Sequence, residues 1–174
     1  MTAPAPPPST MTLAVGGLAH DPLQAELAAA GVALNAHART LLADPRVDGR
    51  EPVAVTLARR TVAALGLPQG GTLPQLLEAA GRCGLRPCPP STGPYLRLAL
   101  TTQEDAPDSV LSAGKVPSGA LHVLSSPLVE DHDYPKGFYL RVVDGVPWLR
   151  GFRCDDEYCW PPESELVLEV PPTG

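Results

Sequence analysis

Glu130-Asp-His-Asp133 is the densest polar cluster that includes a histidine. Carboxylates flanking His132 could raise the pKa of its imidazole and place it as a general acid or base, or share a divalent ion with it. The same residues also suit a solvated turn ahead of Tyr134-Pro135, with an aspartate capping the backbone. Asp131, His132, Asp133 and Tyr134 are therefore binding candidates, and the Asp-His-Asp trio is the candidate centre of a small hydrolase. The four cysteines form two pairs, Cys83-x4-Cys88 and Cys154-x4-Cys159. Four thiolates can close a tetrahedral zinc site, although gaps of four lie at or beyond the edge of the usual spacing. The other readings are a disulfide in an oxidising setting, or reduced cysteines that are partly buried as small apolar groups. Cys154-Asp-Asp-Glu-Tyr-Cys159 is a second acidic run, without the alternate ligands and glycine of a calcium loop. Trp148 and Trp160 are two of only eight aromatics, so each is either core or part of a recognition patch beside the acidic loops. His37 and His122 read as packed on apolar faces. No P-loop, dinucleotide fingerprint, zinc-protease helix motif or EF-hand loop occurs, and no cofactor other than zinc is indicated.

These side chains must be held by elements that the apolar pattern suggests. Residues 1–12 read as a Pro-rich disordered leader, with Met11 as a second candidate start, and 171–174 as a tail. Between them, 13–170 read as one α+β domain. Asp21-Pro22 resembles a helix start. Leu23, Leu27, Ala30, Leu34, Ala38 and Leu41 then form one stripe on a helix over about 21–43, with Gly31 a point where it can break. That stripe packs on the chain's own sheet or on a partner, including a second copy of the chain. Val53-Ala-Val-Thr-Leu57 is a strand, or else part of a helix running to Leu65. Thr72-Leu-Pro-Gln75 is a capping-box start for a helix to about Cys83, with Gly84 as its stop. Tyr95-Leu-Arg-Leu-Ala-Leu100 alternates and predicts a strand. On that strand Arg97 faces away from Leu96 and Leu98, toward solvent or a site; facing inward it would want a carboxylate such as Asp131 or Asp133. Residues 101–119 read as a long loop, and Leu121–Leu124 as a strand. The clearest element is a hairpin, Phe138–Val143 and Val146–Arg150, joined by Asp144-Gly145. Pro147 lacks a backbone donor and marks its strand as an edge, open to a partner beside Trp148. Leu166–Val170 closes the sheet. The expected architecture is N-terminal helices packed on a mostly antiparallel sheet of four or five strands.

The block TLPQLLEAAGRCGLRPCPPSTGPYLRL resembles one that recurs in a family of uncharacterised bacterial proteins. There a helix leads into a Gly-Leu-x-x-Cys-Pro loop and then Gly-Pro-x-Leu-Arg-Leu. The matching residues are Gly84, Leu85, Cys88, Pro89, Gly93, Pro94, Leu96, Arg97 and Leu98. The similarity runs through SSPLVEDHDYPKGFYLRVVDGVPWLRG to Trp160 and covers roughly residues 40–170. It implies one compact domain and no particular activity. The chain departs from the family in a longer 101–119 loop and in Cys83, Cys154 and Cys159.

Composition narrows the function classes. The chain has 174 residues with 22 Pro and 16 Gly, yet 44% are hydrophobic, enough to bury a core. Residues 1–124 carry 9 basic and 9 acidic side chains, and 125–174 carry 4 and 10, so the net charge of −6 lies in the last third. That balance disfavours nucleic-acid and anionic membrane surfaces; a patch of Arg59, Arg60, Arg82 and Arg86 is the only basic grouping of note. No run of 18 apolar residues and no basic leader is present, so neither a membrane span nor a signal peptide is expected, and a cytoplasmic place follows. The leading expectation is a non-catalytic protein-interaction module with an unidentified protein partner or a second copy of itself. The zinc-stabilised domain and the hydrolase are the alternatives.

Overall fold

The computed structural model describes residues 10–47, 51–103, 105 and 119–172. In chain order these form β1 (Thr10–Val15), α1 (His20–Ala29), β2 (Ala33–Leu34), α2 (Ala36–Ala43), β3 (Val53–Thr61), α3 (Leu73–Arg82), α4 (Thr92–Ala99), β4 (Leu121–Val123), β5 (Gly137–Val143), β6 (Val146–Phe152) and β7 (Glu165–Val170). Residues 1–9 of the expected leader and most of the 101–119 loop lie outside the described residues. Residues 10–12, also assigned to the leader, instead begin β1.

Local chemistry explains several boundaries. Thr72 and Gln75 bond each other's backbone amides and open α3, and Gly84 follows its C-cap at φ +75°. Asp144 (φ +50°) and Gly145 (φ +78°) make the β5–β6 turn. The helix expected over 21–43 is two helices. Gly31, at φ +73°, ends α1: its N–H donates to the Ala28 carbonyl and that of Val32 to the Leu27 carbonyl, a Schellman closure. Asn35 then caps α2 by accepting from the Ala38 N–H at 2.8 Å. Asp21 does not cap α1, whose N-cap is Ala19 with no side-chain bond.

The α+β architecture differs from the expected sheet. Four helices accompany a seven-stranded mixed sheet, curled into a half-barrel with strand order β1-β3-β7-β4-β5-β6-β2. Two neighbouring pairs, β7–β4 and β6–β2, are parallel. The four or five mostly antiparallel strands expected from alternation are therefore too few, and with these two parallel pairs among its six the sheet is mixed. Tyr95–Leu100 belongs to α4, apart from its C-cap Leu100. Pro94 sits in the first turn of α4, where a missing N–H costs nothing, and every residue from Thr92 to Arg97 is buried. Six buried residues in succession leave little amphipathic period to read. Residues 53–61 form one strand. β7 lies in the middle of the sheet, between β3 and β4, and does not close it.

Successive residues of each strand serve opposite faces. Leu57, Leu140 and Val167 enter one core, beneath α1, α2 and α4, with Leu23, Leu27, Ala38 and Leu41. Ala58, Tyr139, Leu166 and Leu168 enter the other, beneath α3 and the segment around Trp160. Of the stripe on α1 and α2, Leu23, Leu27, Ala38 and Leu41 pack on the chain's own sheet.

Candidate functional site

The two acidic runs lie side by side. His132 Nε2 is 3.8 Å from Asp156 Oδ2, and Arg153 NH1 is 3.8 Å from Asp133 Oδ1. Each run is a turn that satisfies itself: Asp131 Oδ1 accepts from the Asp133 N–H, and Asp155 Oδ1 from the N–H groups of Glu157 and Tyr158. Asp131 and Asp133 therefore do not converge on His132, whose side chain is 55% exposed. Tyr134 is turned inward, and its hydroxyl donates to Asp44 Oδ2 at 2.6 Å. Asp44 also accepts from the backbone N–H, Nε and NH2 of Arg46. The Arg46 guanidinium, against the opposing effect of burial and with help from Tyr134, holds the Asp44 carboxyl well below the usual carboxylate range. Arg46 also donates to the Leu128 carbonyl, so the residues before the acidic loop are tied to the end of α2.

The four cysteines are free and are not gathered. Cys88 is part of the core under α4, whereas Cys154 packs against the core on the other face, so the sheet separates them. Cys88 donates to the Val167 carbonyl and exposed Cys83 to that of Leu65. Burial pushes the Cys88 thiol up, and that of Cys154 up to about 11. Among the described residues no group of three or more His, Cys, Asp or Glu side chains is disposed to hold a metal ion.

Arg97 is on a helix and 4% exposed, contrary to the strand reading. It meets no aspartate. NH1 donates to Gln103 Oε1 at 2.7 Å and reaches the carbonyls of Arg141 and Trp148 at 3.4 Å, and NH2 donates to the Leu100 carbonyl at 2.7 Å. The group ties α4 to the hairpin. Trp148 is half-buried with the Arg150 guanidinium 4.3 Å from its ring centroid. Trp160 is 2% exposed, within an aromatic cluster with His122 and Phe152, and offers no recognition surface. The sparse basic grouping is also compensated, with Arg59, Arg82 and Arg86 each bound to a glutamate.

What the sequence reading missed is the edge of the sheet. β1 ends the strand order, and its six residues, TMTLAV, are all in antiparallel register with β3, from Thr10↔Ala58 to Val15↔Val53. Residues 10–19 contain no charge and no proline. Thr12 and Thr56 hydroxyls meet at 3.0 Å and pin the register. The opposite edge is different. Ala33 and Leu34 pair with Trp148 and Leu149, and the Asn35 side chain bonds both the N–H and carbonyl of Gly151. In a two-residue hairpin the Val142↔Pro147 pair is the non-hydrogen-bonded one, so the missing donor of Pro147 faces away from β5. Beside β1, between sheet and α4, lies an apolar cavity of about 160 Å³. Met11, Leu57, Leu96, Leu100, Leu121 and Val167 line it, and exposed Thr10 and Arg59 stand at its rim. The available sequence signal was the uncharged β-prone run at 10–15. Comparisons with protein-family models, with curated proteins and with solved structures found no match to the chain.

Proposed function

We propose that the chain is a non-catalytic protein-interaction module that recruits its partner by adding a strand to β1. The observation that carries this reading is the unguarded state of that edge. A strand of six residues presents about 20 Å of backbone, and among the described residues nothing pairs with its outer side. Proteins blunt such edges with charge, proline, bulges or a covering segment. The β6 edge carries Pro147 and the cover of β2, while the six residues of β1 hold no charge and no proline and, among the described residues, no strand covers them. A free row of backbone donors and acceptors is what strand addition uses for affinity. The acidic turns, whose aspartates are spent on their own backbones, and the separated cysteines support no competing catalytic or zinc-bound reading. A reducing, cytoplasmic setting suits four free thiols.

The test is affinity purification of tagged wild-type protein and of the Thr12→Lys/Ala14→Lys double variant from the native host, followed by mass spectrometry. Both side chains are exposed, so circular dichroism should stay close to wild type, with Tm lowered only by the loss of the exposed Thr12–Thr56 hydroxyl pair. Partners held by the wild type and lost with the charged edge support the reading; the same set on both would end it.

A further inference from the structure

The cavity beside β1 adds something that an open edge alone does not: a preference for what the added strand carries. We infer that β1 and α4 are the walls of a peptide groove, in which an extended segment without net charge lies along β1 as an eighth strand and places one large aliphatic side chain in the cavity. The inference rests on strand addition at β1 and names the chemistry of the partner.

The placement follows from the pleat. Met11, Leu13 and Val15 pair with Leu57, Val55 and Val53, and Leu57 and Val55 belong to the core that α4 covers. These β1 residues therefore face the α4 side, while Thr10, Thr12 and Ala14 face away. Alternate residues of a strand laid against β1 would share the α4 side. Met11 is the wall between the cavity and the open edge. It is 37% exposed and unbranched, the kind of side chain that swings to admit a guest.

The size and charge of the groove select the occupant. An engineered apolar cavity of about 150 Å³ admits benzene, and this one, at about 160 Å³, suits a single Leu, Ile or Met side chain. The rim cation, Arg59, is already compensated by Glu165 Oε2 at 2.5 Å. With no charge in residues 10–19, the groove is neutral, so an acidic or basic residue entering it would lose water without gaining a partner. In strand addition the backbone gives affinity and side-chain pockets give specificity; here the two features adjoin.

The experiment uses the full chain and three fluorescein-labelled heptapeptides of threonine whose central residue is leucine, alanine or aspartate, read by fluorescence anisotropy. The leucine peptide should bind about tenfold or more tightly than the alanine peptide, as expected for burying a leucine side chain, and the aspartate peptide should not bind. Thr12→Lys/Ala14→Lys should abolish binding of the leucine and alanine peptides. Leu100→Phe, which fills the cavity, should bring the leucine peptide to the level of the alanine one. The leucine-to-alanine comparison is made on the peptides, so it stands even if a variant misfolds. Equal binding of leucine and alanine peptides, both lost with the charged edge, would overturn the pocket and leave strand addition standing. Binding indifferent to the charged edge would overturn both. If no peptide binds but the wild type sediments as a dimer that the charged edge makes monomeric, the occupant is a second copy, which overturns the peptide groove while keeping strand addition. No binding and no dimer overturns the groove.

Discussion

His122 is a base with nowhere to put a proton. Its ring lies 4.7 to 5.0 Å, centroid to centroid, from those of Tyr139, Phe152 and Trp160, it is 2% exposed, and its Nδ1 has no partner among the described residues. Burial lowers its pKa from 6.5 to about 3. In the unfolded chain the imidazole protonates below about 6.5; in the folded one it does not until about 3. The unfolded state therefore binds more protons in that window, and stability is complete above pH 6.5 and falls as pH drops. Between pH 7 and 4.5 the loss should reach about 2 to 3 kcal/mol, measured by urea unfolding at both values. His122→Phe keeps the ring and removes the titration, so the variant should lose much less over the same interval; an unchanged slope would place the effect elsewhere. Asp44 adds to acid lability only at lower pH, because its depressed carboxyl contributes stability above the ordinary carboxylate range and loses it below. At this scale His122 was legible, since an isolated histidine between apolar residues reads as packed. Arg97 was not. Its environment is made of carbonyls at the end of α4 and on two strands, and no spacing in the sequence records where backbone oxygens will converge.

Among the elements, the joint between α2 and β6 is the most constrained. A Cβ on Gly151 would lie 2.7 Å from the His37 carbonyl carbon and 2.9 Å from the Ala38 nitrogen, so the first turn of α2 rests directly on the strand. Asn35 locks the joint by capping α2 and bonding the backbone of Gly151. Gly151→Ala should destabilise by about 1 to 3 kcal/mol, the usual cost of overpacking. Gly81→Ala is the matched control: it sits in α3 with nothing within 4 Å of a new Cβ and should stabilise by about 0.5 to 1 kcal/mol. Chemical denaturation of the pair reads both, and a Gly151→Ala variant as stable as wild type would mean that α2 is free to move. What was readable in the elements was what local chemistry decides. Asp144-Gly145 supplies two positive φ values, Thr72 and Gln75 close a capping box, and Gly31 offers a left-handed stop. What was unreadable was decided by packing. Tyr95–Leu100 has the period of a strand but ends a helix whose first six residues are all buried. β1 resembles a leader until β3 is there to pair with it, and β2 is too short to leave a pattern.

Across the whole molecule, one sheet faces two cores, and the question is whether they unfold as one body. β7 argues that they do. Val167 enters the core under α1, α2 and α4, while Leu166 and Leu168 enter the one under α3, so neither can melt without exposing the same strand. Its pairing with β3 joins residues as far apart as Thr56 and Val170, and its parallel pairing with β4 links the two halves of the sheet. Leu27 and Leu76, 1% and 0% exposed, lie in opposite cores. Leu27→Ala and Leu76→Ala should each cost about 2 to 5 kcal/mol and shift one shared transition without changing its slope in denaturant. Trp160 lies in the α3-side core, so tryptophan fluorescence reports chiefly from that side, whereas far-ultraviolet circular dichroism reports from the whole. The two curves should coincide for wild type and for both variants. A Leu27→Ala variant whose circular dichroism falls early while its fluorescence holds would show the faces to be separate units. Coincident curves make the half-barrel one cooperative body, able to hold β1 rigid as a template for another strand.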